Sequence, residues 1–191
     1  RVWVNAASRL RYPTRFEDAR EVCLLEGEAY FDVARDEEKP FLVRTPRGSV
    51  RVLGTEFNVN AYDDEAGVET TLVEGSVRFS DGEKRVVLRP GDQVATGGRE
   101  AWQVREVDVA EYVGWKNGVY VFNRRTLAEL MEIVERNYDV TVFFANEECE
   151  SLRFSGDLKK YDDLGDFLRF IETSGDARFV VKDKTVTVYK K

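Results

Sequence analysis

The 191-residue chain contains no histidine. That removes the commonest general base near neutral pH, the Ser-His and Cys-His nucleophile pairs, and the commonest transition-metal ligand. Cysteine is down to two, Cys23 and Cys149. They lie far apart, make no CxxC and no metal cluster, and read as two separate buried thiols. A disulfide between them would need an oxidising compartment and a meeting of the two sites in space. No run of about 18 apolar residues occurs, so the sequence holds no membrane-spanning helix. Positive charge is in deficit, with 29 Lys and Arg against 36 Asp and Glu, a net of −7. Lys159-Lys160 and Lys190-Lys191 are isolated pairs, and a nucleic-acid partner would need a concentrated basic face. Methionine occurs once, at Met131, and the first residue is Arg1. The sequence therefore reads as part of a longer translation product, whose upstream portion would hold any signal peptide or membrane anchor.

Against these absences stand 12 Phe, 8 Tyr and 3 Trp, too many for a disordered chain and enough for one large core or two small ones. Residues 1–110 read as β almost throughout. Ala29–Val33, Ser49–Leu53, Phe57–Tyr62, Val68–Val73 and Arg85–Leu88 are short, rich in β-branched and aromatic residues, and mostly alternate with period two. Turn signals separate them, among them Glu26-Gly27, Arg47-Gly48, Asp81-Gly82, Pro90-Gly91-Asp92 and Gly97-Gly98. Leu25-Glu26-Gly27-Glu28-Ala29-Tyr30-Phe31 resembles Val73-Glu74-Gly75-Ser76-Val77-Arg78-Phe79, with Pro46–Val52 a looser third copy. Glycines roughly 20 to 30 residues apart suit stacked β coils, so a roll or solenoid-like stack is expected first and a β-sandwich second.

Residues 111–191 differ. Thr126 followed by Glu129 is a capping box, and Leu127, Leu130, Met131 and Val134 form an amphipathic helical stripe, with Asn137 as its stop. The pattern returns at Leu164, Phe167, Leu168 and Ile171, with Asp162 or Asp163 as cap and Thr173-Ser174-Gly175 as end. Strands are expected at Val119–Phe122, Val140–Phe144, Leu152–Ser155, Arg178–Val181 and Thr185–Tyr189. This half is thus a split β-α-β domain with two helices on one face of a small sheet. Between the halves, Val109 to Trp115 has neither pattern, and its aromatics suggest a packed hinge.

Motifs that could carry chemistry are weak. Asp36-Glu37-Glu38, Asp63-Asp64-Glu65, Glu147-Glu148 and Asp162-Asp163 sit in expected turns and caps, where carboxylates serve the backbone. None has calcium-loop spacing. Arg89-Pro90-Gly91-Asp92 and Thr96-Gly97-Gly98-Arg99 lack phosphate-loop spacing and a following helix. No cofactor, metal site or catalytic residue is expected, and the chain does not read as an enzyme. Aromatics such as Tyr62, Trp102, Trp115, Tyr120 and Tyr161 are mostly expected in the core. Phe143-Phe144 is different, because adjacent strand residues face opposite sides and one of the two must point away from the helices.

Taken in order, Val2–Ser8, Gly27–Val33, Lys39–Val43, Val52-Leu53-Gly54-Thr55-Glu56-Phe57-Asn58-Val59, Thr70–Val77 and Leu88–Asp92 resemble the periplasmic domain of FecR-type proteins. Residues 111–191, with Trp115-Lys116-Asn117-Gly118, are similar to the domain that follows it in Bacteroidetes members. The resemblance implies the periplasmic ectodomain of a single-pass inner-membrane sensor that regulates an extracytoplasmic-function sigma factor. The implied partner is the N-terminal signalling domain of a TonB-dependent outer-membrane transporter, whose small secretin/TonB short N-terminal fold is similar to the outline of the second half. The sigma factor would be bound only through a cytoplasmic segment absent from this sequence.

A relay of this kind needs a stable scaffold and a docking surface, by β-augmentation at a sheet edge or by side-by-side packing. The apolar run Val142-Phe143-Phe144 places the expected surface at Val142, Phe143, Phe144, Val186, Val188 and Tyr189. The alternative is a carbohydrate-binding β module of the cell envelope carried by aromatics such as Trp102 and Trp115. A third class, a hydrolase using turn carboxylates, would need a cleft with paired carboxyl groups.

Overall fold

The computed structural model describes residues 1–16, 19–63, 67–97, 102–160 and 163–191. Asp64, Glu65, Gly98, Arg99, Tyr161 and Asp162, singled out above, lie outside the described residues. The chain divides into two compact units, Arg1–Lys116 and Asn117–Lys191. Among the described residues no helix is long and apolar enough to cross a membrane.

The first unit is built from β1 (Val2–Val4), β2 (Arg9–Arg11), β3 (Arg20–Val33), β4 (Phe41–Thr45), β5 (Gly48–Val52), β6 (Thr55–Ala61), β7 (Gly67–Glu74), β8 (Val77–Ser80), β9 (Arg85–Leu88), β10 (Asp92–Gly97) and β11 (Trp102–Glu106). They form one curled sheet, a half-barrel, in the order β11-β10-β7-β6-β3-β4-β5-β8-β9, with β1 and β2 also on β3. The stack of coils suggested by the glycine spacing is not what forms. Stacked coils pair in parallel, whereas here β3–β4 is parallel and its neighbours are antiparallel.

The long strand β3 shows how the sheet turns on itself. Arg20–Cys23 pairs with β4, while Gly27–Val33 pairs with β6. Core-facing residues are even-numbered before the junction (Val22, Leu24) and odd-numbered after it (Ala29, Phe31). The parity change needs an extra residue, a bulge, and the register against β2 places it at Leu25, just before Gly27 at φ +93°. The same happens between β7 and β8. Leu72 and then Val77 and Phe79 face inward, with the extra residue at Val73 in the register against β6 and Gly75 following it at φ +92°. The repeated Leu/Val-Glu-Gly of the sequence is therefore a device for moving the chain from one side of the curl to the other. The looser third copy differs, because Gly48 has no positive φ; a Cβ there would meet the Phe79 ring at 2.5 Å.

The enclosed core is one cluster in which Phe31, Phe57, Leu24, Leu72 and Phe79 are fully buried. Phe31 stacks on Phe57 with centroids 5.1 Å apart. On the other side of β3, β6, β7, β10 and β11 runs a polar row in register: Tyr30, Asn58, Thr71, Gln93 and Arg105. Gln93 donates to Thr71 Oγ1 at 2.9 Å, and Arg105 to Gln93 Oε1 at 2.8 Å. The connecting segment folds as a short helix, α1 (Ala110–Val113), and a 3-10 turn (Gly114–Asn117). One turn is too short to show an amphipathic stripe, which is why the sequence pattern misses it. The segment is tied to the polar row by Arg105 donating to the Tyr112 hydroxyl and by the Lys116 ammonium 3.6 Å from the Tyr30 ring centroid. Burial, with the acceptor Glu56 beside it, pushes the Tyr30 phenol far above its ordinary range, so it remains a donor.

The second unit contains β12 (Val119–Thr126), α2 (Leu127–Tyr138), β13 (Thr141–Phe144), a 3-10 turn (Glu147–Ser151), β14 (Arg153–Lys159), α3 (Leu164–Ser174), β15 (Ala177–Lys182) and β16 (Thr185–Lys190). The single small sheet expected from sequence is two sheets, β12–β14 and β13–β16–β15. The β12–β14 pair carries an irregularity between Phe122 and Arg125, with Arg124 at φ +55°. Leu127, Leu130, Met131 and Val134 of α2 and Phe167, Leu168 and Ile171 of α3 are buried, the stripes expected from their spacing. Asp163 caps α3 by accepting from the Asp166 N–H at 2.8 Å. At α2 the capping box is complete: the Thr126 hydroxyl accepts from the Glu129 N–H, and Glu129 Oε2 accepts from the Thr126 N–H at 2.7 Å. Thr126→Ala is expected to destabilise the unit by about 1 kcal/mol, read as a lower midpoint of the far-UV helix signal.

Candidate docking surface

Two faces of the β13–β16–β15 sheet have opposite characters. One packs on the helices: Phe144, Val188 and Phe179 lie in register, as do Val142 and Val186, and all join the core of this unit. The other carries Phe143, Thr187 and Val180 in one row and Tyr189 and Arg178 in the next. Phe143 is 57% exposed and Val180 43%. The Arg178 guanidinium lies 5.0 Å from the Tyr189 ring centroid, a cation–π pair on the same face.

The expected surface residues thus separate. Phe143 and Tyr189 lie on the outward face. Val142 and Phe144 are partly buried against the core. Val186 and Val188, expected on the surface, are instead wholly buried core positions, because period-two alternation turns them beneath the helices. Val180 and Arg178 complete the outward face and are not among the residues the sequence singles out. Their own alternation, Arg178-Phe179-Val180, carried the signal; what was lacking was the register that sets Val180 beside Thr187 and so one strand from Phe143.

Both outer edges of this sheet are blunted. On β13, the free-edge N–H of Val142 donates to Glu135 Oε1 of α2 at 2.6 Å. On β15, the N–H of Phe179 donates to Glu172 Oε1 of α3 at 2.8 Å. A strand added at either edge would have to displace a carboxylate first. The open apolar face has no such guard, so packing against the face is favoured over β-augmentation.

The competing chemistry fares less well. Trp115 is 5% exposed, and Trp102 packs edge-on to Phe79 at 5.2 Å while its indole N–H donates to Asp81 Oδ2 at 2.6 Å. Neither offers an open platform for a sugar ring. The carboxylates serve turns. Asp36 Oδ1 accepts from the N–H groups of Glu38 and Lys39 at 3.1 and 2.9 Å. Asp81 accepts from Lys84 and Glu83, and these bonds with that of Trp102 hold its carboxyl below the usual range. Cys23 is half-buried and Cys149 buried; both are free.

Known proteins give the same outline. The family described as "FecR protein" matches residues 1–78, and "FecR, C-terminal" matches 119–188. Two crystal structures of a candidate anti-sigma factor from Parabacteroides distasonis ATCC 8503 each align with a TM-score of 0.88 and 30% identity. They cover 100% of this chain, and 90% and 89% of their own. No curated protein matches. Matched by family patterns in both units, and 30% identical over its whole length to a solved relative, this chain belongs to the FecR family.

Proposed function

We propose that the chain is the periplasmic part of a membrane-anchored regulator of an extracytoplasmic-function sigma factor. In this reading it receives its signal by binding the N-terminal signalling domain of a TonB-dependent outer-membrane transporter. The observation that carries the regulatory role is the full-length likeness, at TM-score 0.88, to a candidate anti-sigma factor. FecR proteins are regulators rather than known enzymes, which fits a molecule that works by contact. The sigma factor itself is reached through the cytoplasmic segment of the parent protein.

The docking site is the outward face of β13–β16–β15. Phe143 and Val180 are the apolar anchors, Thr187 lies between them, and Arg178 and Tyr189 form a polar and aromatic rim. The split β-α-β outline of this unit, which resembles the short N-terminal fold of secretin and TonB signalling domains, would let two similar small domains pack side by side. The face supports this mode because Glu135 and Glu172 occupy the sheet edges.

Phe143→Ser tests the site. At 57% exposure the substitution should change folding stability by no more than about 0.5 kcal/mol. Loss of a central anchor should cost about 2 kcal/mol of binding, near thirtyfold in Kd by calorimetry. Unchanged affinity for a signalling domain that binds the parent chain would remove this face from the reading.

A further inference from the structure

The first unit holds a cleft of about 500 Å³ whose lining includes Arg35, Arg51, Arg78, Leu53 and Val87. Its floor is the outward side of the curled sheet, where Leu42, Arg51, Arg78 and Val87 form one row across β4, β5, β8 and β9. Arg51 and Arg78 are direct cross-strand partners. Residues so paired have Cβ atoms about 5 Å apart, and like charges in that position repel. Among the described residues neither guanidinium has an ion-pair partner. Glu37, the one carboxylate among the described residues that line the cleft, is already engaged by Arg35 at 2.5 Å. In a chain with a net charge of −7, an unneutralised arginine pair at the floor of a cleft is an anomaly that an anionic guest would resolve.

We infer that this cleft binds an acidic peptide segment, with one carboxylate seated between Arg51 and Arg78 and aliphatic side chains against Leu53 and Val87. Two guanidinium forks facing one site match a carboxylate in geometry as well as charge. The rim chooses among anions. Leu53 is 44% exposed and Val87 58%, more apolar surface than a bare inorganic ion can use. Among the described residues no aromatic ring lines the cleft, so they provide no stacking platform for a sugar. Gly54 and Ser76 also line the cleft, and the Ser76 C=O accepts from the Thr55 hydroxyl at 3.1 Å, which fixes this part of its wall. The site belongs to the first unit alone and stands whichever partner occupies the second.

The test is fluorescence anisotropy of a labelled peptide of alternating glutamate and leucine, titrated with the full chain at low ionic strength. Saturable binding is expected, weakened about tenfold by Arg78→Gln and further by Arg51→Gln with Arg78→Gln. It should be absent for the peptide with glutamine in place of glutamate, and it should shift the amide resonances of Leu53, Gly54 and Ser76. Equal binding of the glutamine peptide, or full binding by the double variant, would overturn the inference. So would competition by inorganic phosphate as effective as by unlabelled peptide, which would mark a small-anion site. Self-association of the chain that is lost in the double variant would identify a second copy as the occupant and would also overturn it. Unfolding gives a second readout. Removing one of two repelling charges should raise the midpoint in Arg78→Gln, and a lowered midpoint would mean that the pair is already neutralised within the chain and the site is closed to a guest.

Discussion

Phe167→Ala is expected to unfold the second unit while leaving the first in place. Phe167 is 1% exposed and lies between the two helices and the β12–β14 pair, edge-on to Phe122 at 6.3 Å and to Tyr138 at 6.4 Å. Truncating such a ring costs about 3–5 kcal/mol. A unit of roughly 75 residues has only about 4–11 kcal/mol of stability in all. The two units report separately. Trp3, Trp102 and Trp115 all belong to the first, whereas α2 and α3, the long helices, belong to the second. In denaturant, Phe167→Ala should therefore lose its far-UV helix signal at a much lower midpoint while the tryptophan fluorescence transition stays put. A joint shift of both signals would mean that the two cores do not melt independently.

Gly27→Ala should do the reverse. The backbone at φ +93° is costly for any residue with a Cβ, and the added carbon would come within 2.4 Å of Ser8 Cβ and 2.5 Å of its Cα. Ser8 has little freedom to retreat, because its hydroxyl accepts from the Glu28 N–H at 2.8 Å. Together these effects should destabilise the first unit by about 2–5 kcal/mol, seen as an earlier tryptophan transition with the helix signal retained. Gly75→Ala, at nearly the same φ, meets Gly54 O at 2.8 Å and should cost less. A neutral Gly27→Ala would show that the chain after the Leu25 bulge tolerates another backbone geometry and that the repeated motif has a different cause.

Local features of this fold are written in neighbouring residues and can be read there. The Thr126–Glu129 box, the two helical stripes and the division of Phe143 from Phe144 between two faces all depend on a few adjacent positions. The Leu/Val-Glu-Gly repeat is also visible, but its glycine spacing suggests a coil period, whereas its role is to switch strand parity at Leu25 and Val73, each followed by a glycine at positive φ. What is not legible is long-range pairing. The parallel register of Arg20–Cys23 with β4 and the grouping of the second unit's strands into two sheets join residues distant in sequence. Nothing local distinguishes those partners from others of equal β character. The docking face suffers the same way, since Val186 and Val188 look like surface candidates until the register places them under the helices, and Val180 is recognised only when Thr187 sets it beside Phe143's row.

The relay reading is tested most directly by nuclear magnetic resonance on the isotope-labelled chain, titrated with signalling domains of TonB-dependent transporters from the same genome. One of them should bind saturably and shift the backbone resonances of Phe143, Val180, Thr187 and Tyr189, leaving those of the first unit's core at their free positions. Saturable binding that leaves the β13–β16–β15 face untouched, or no binding by any of these domains, would contradict the account.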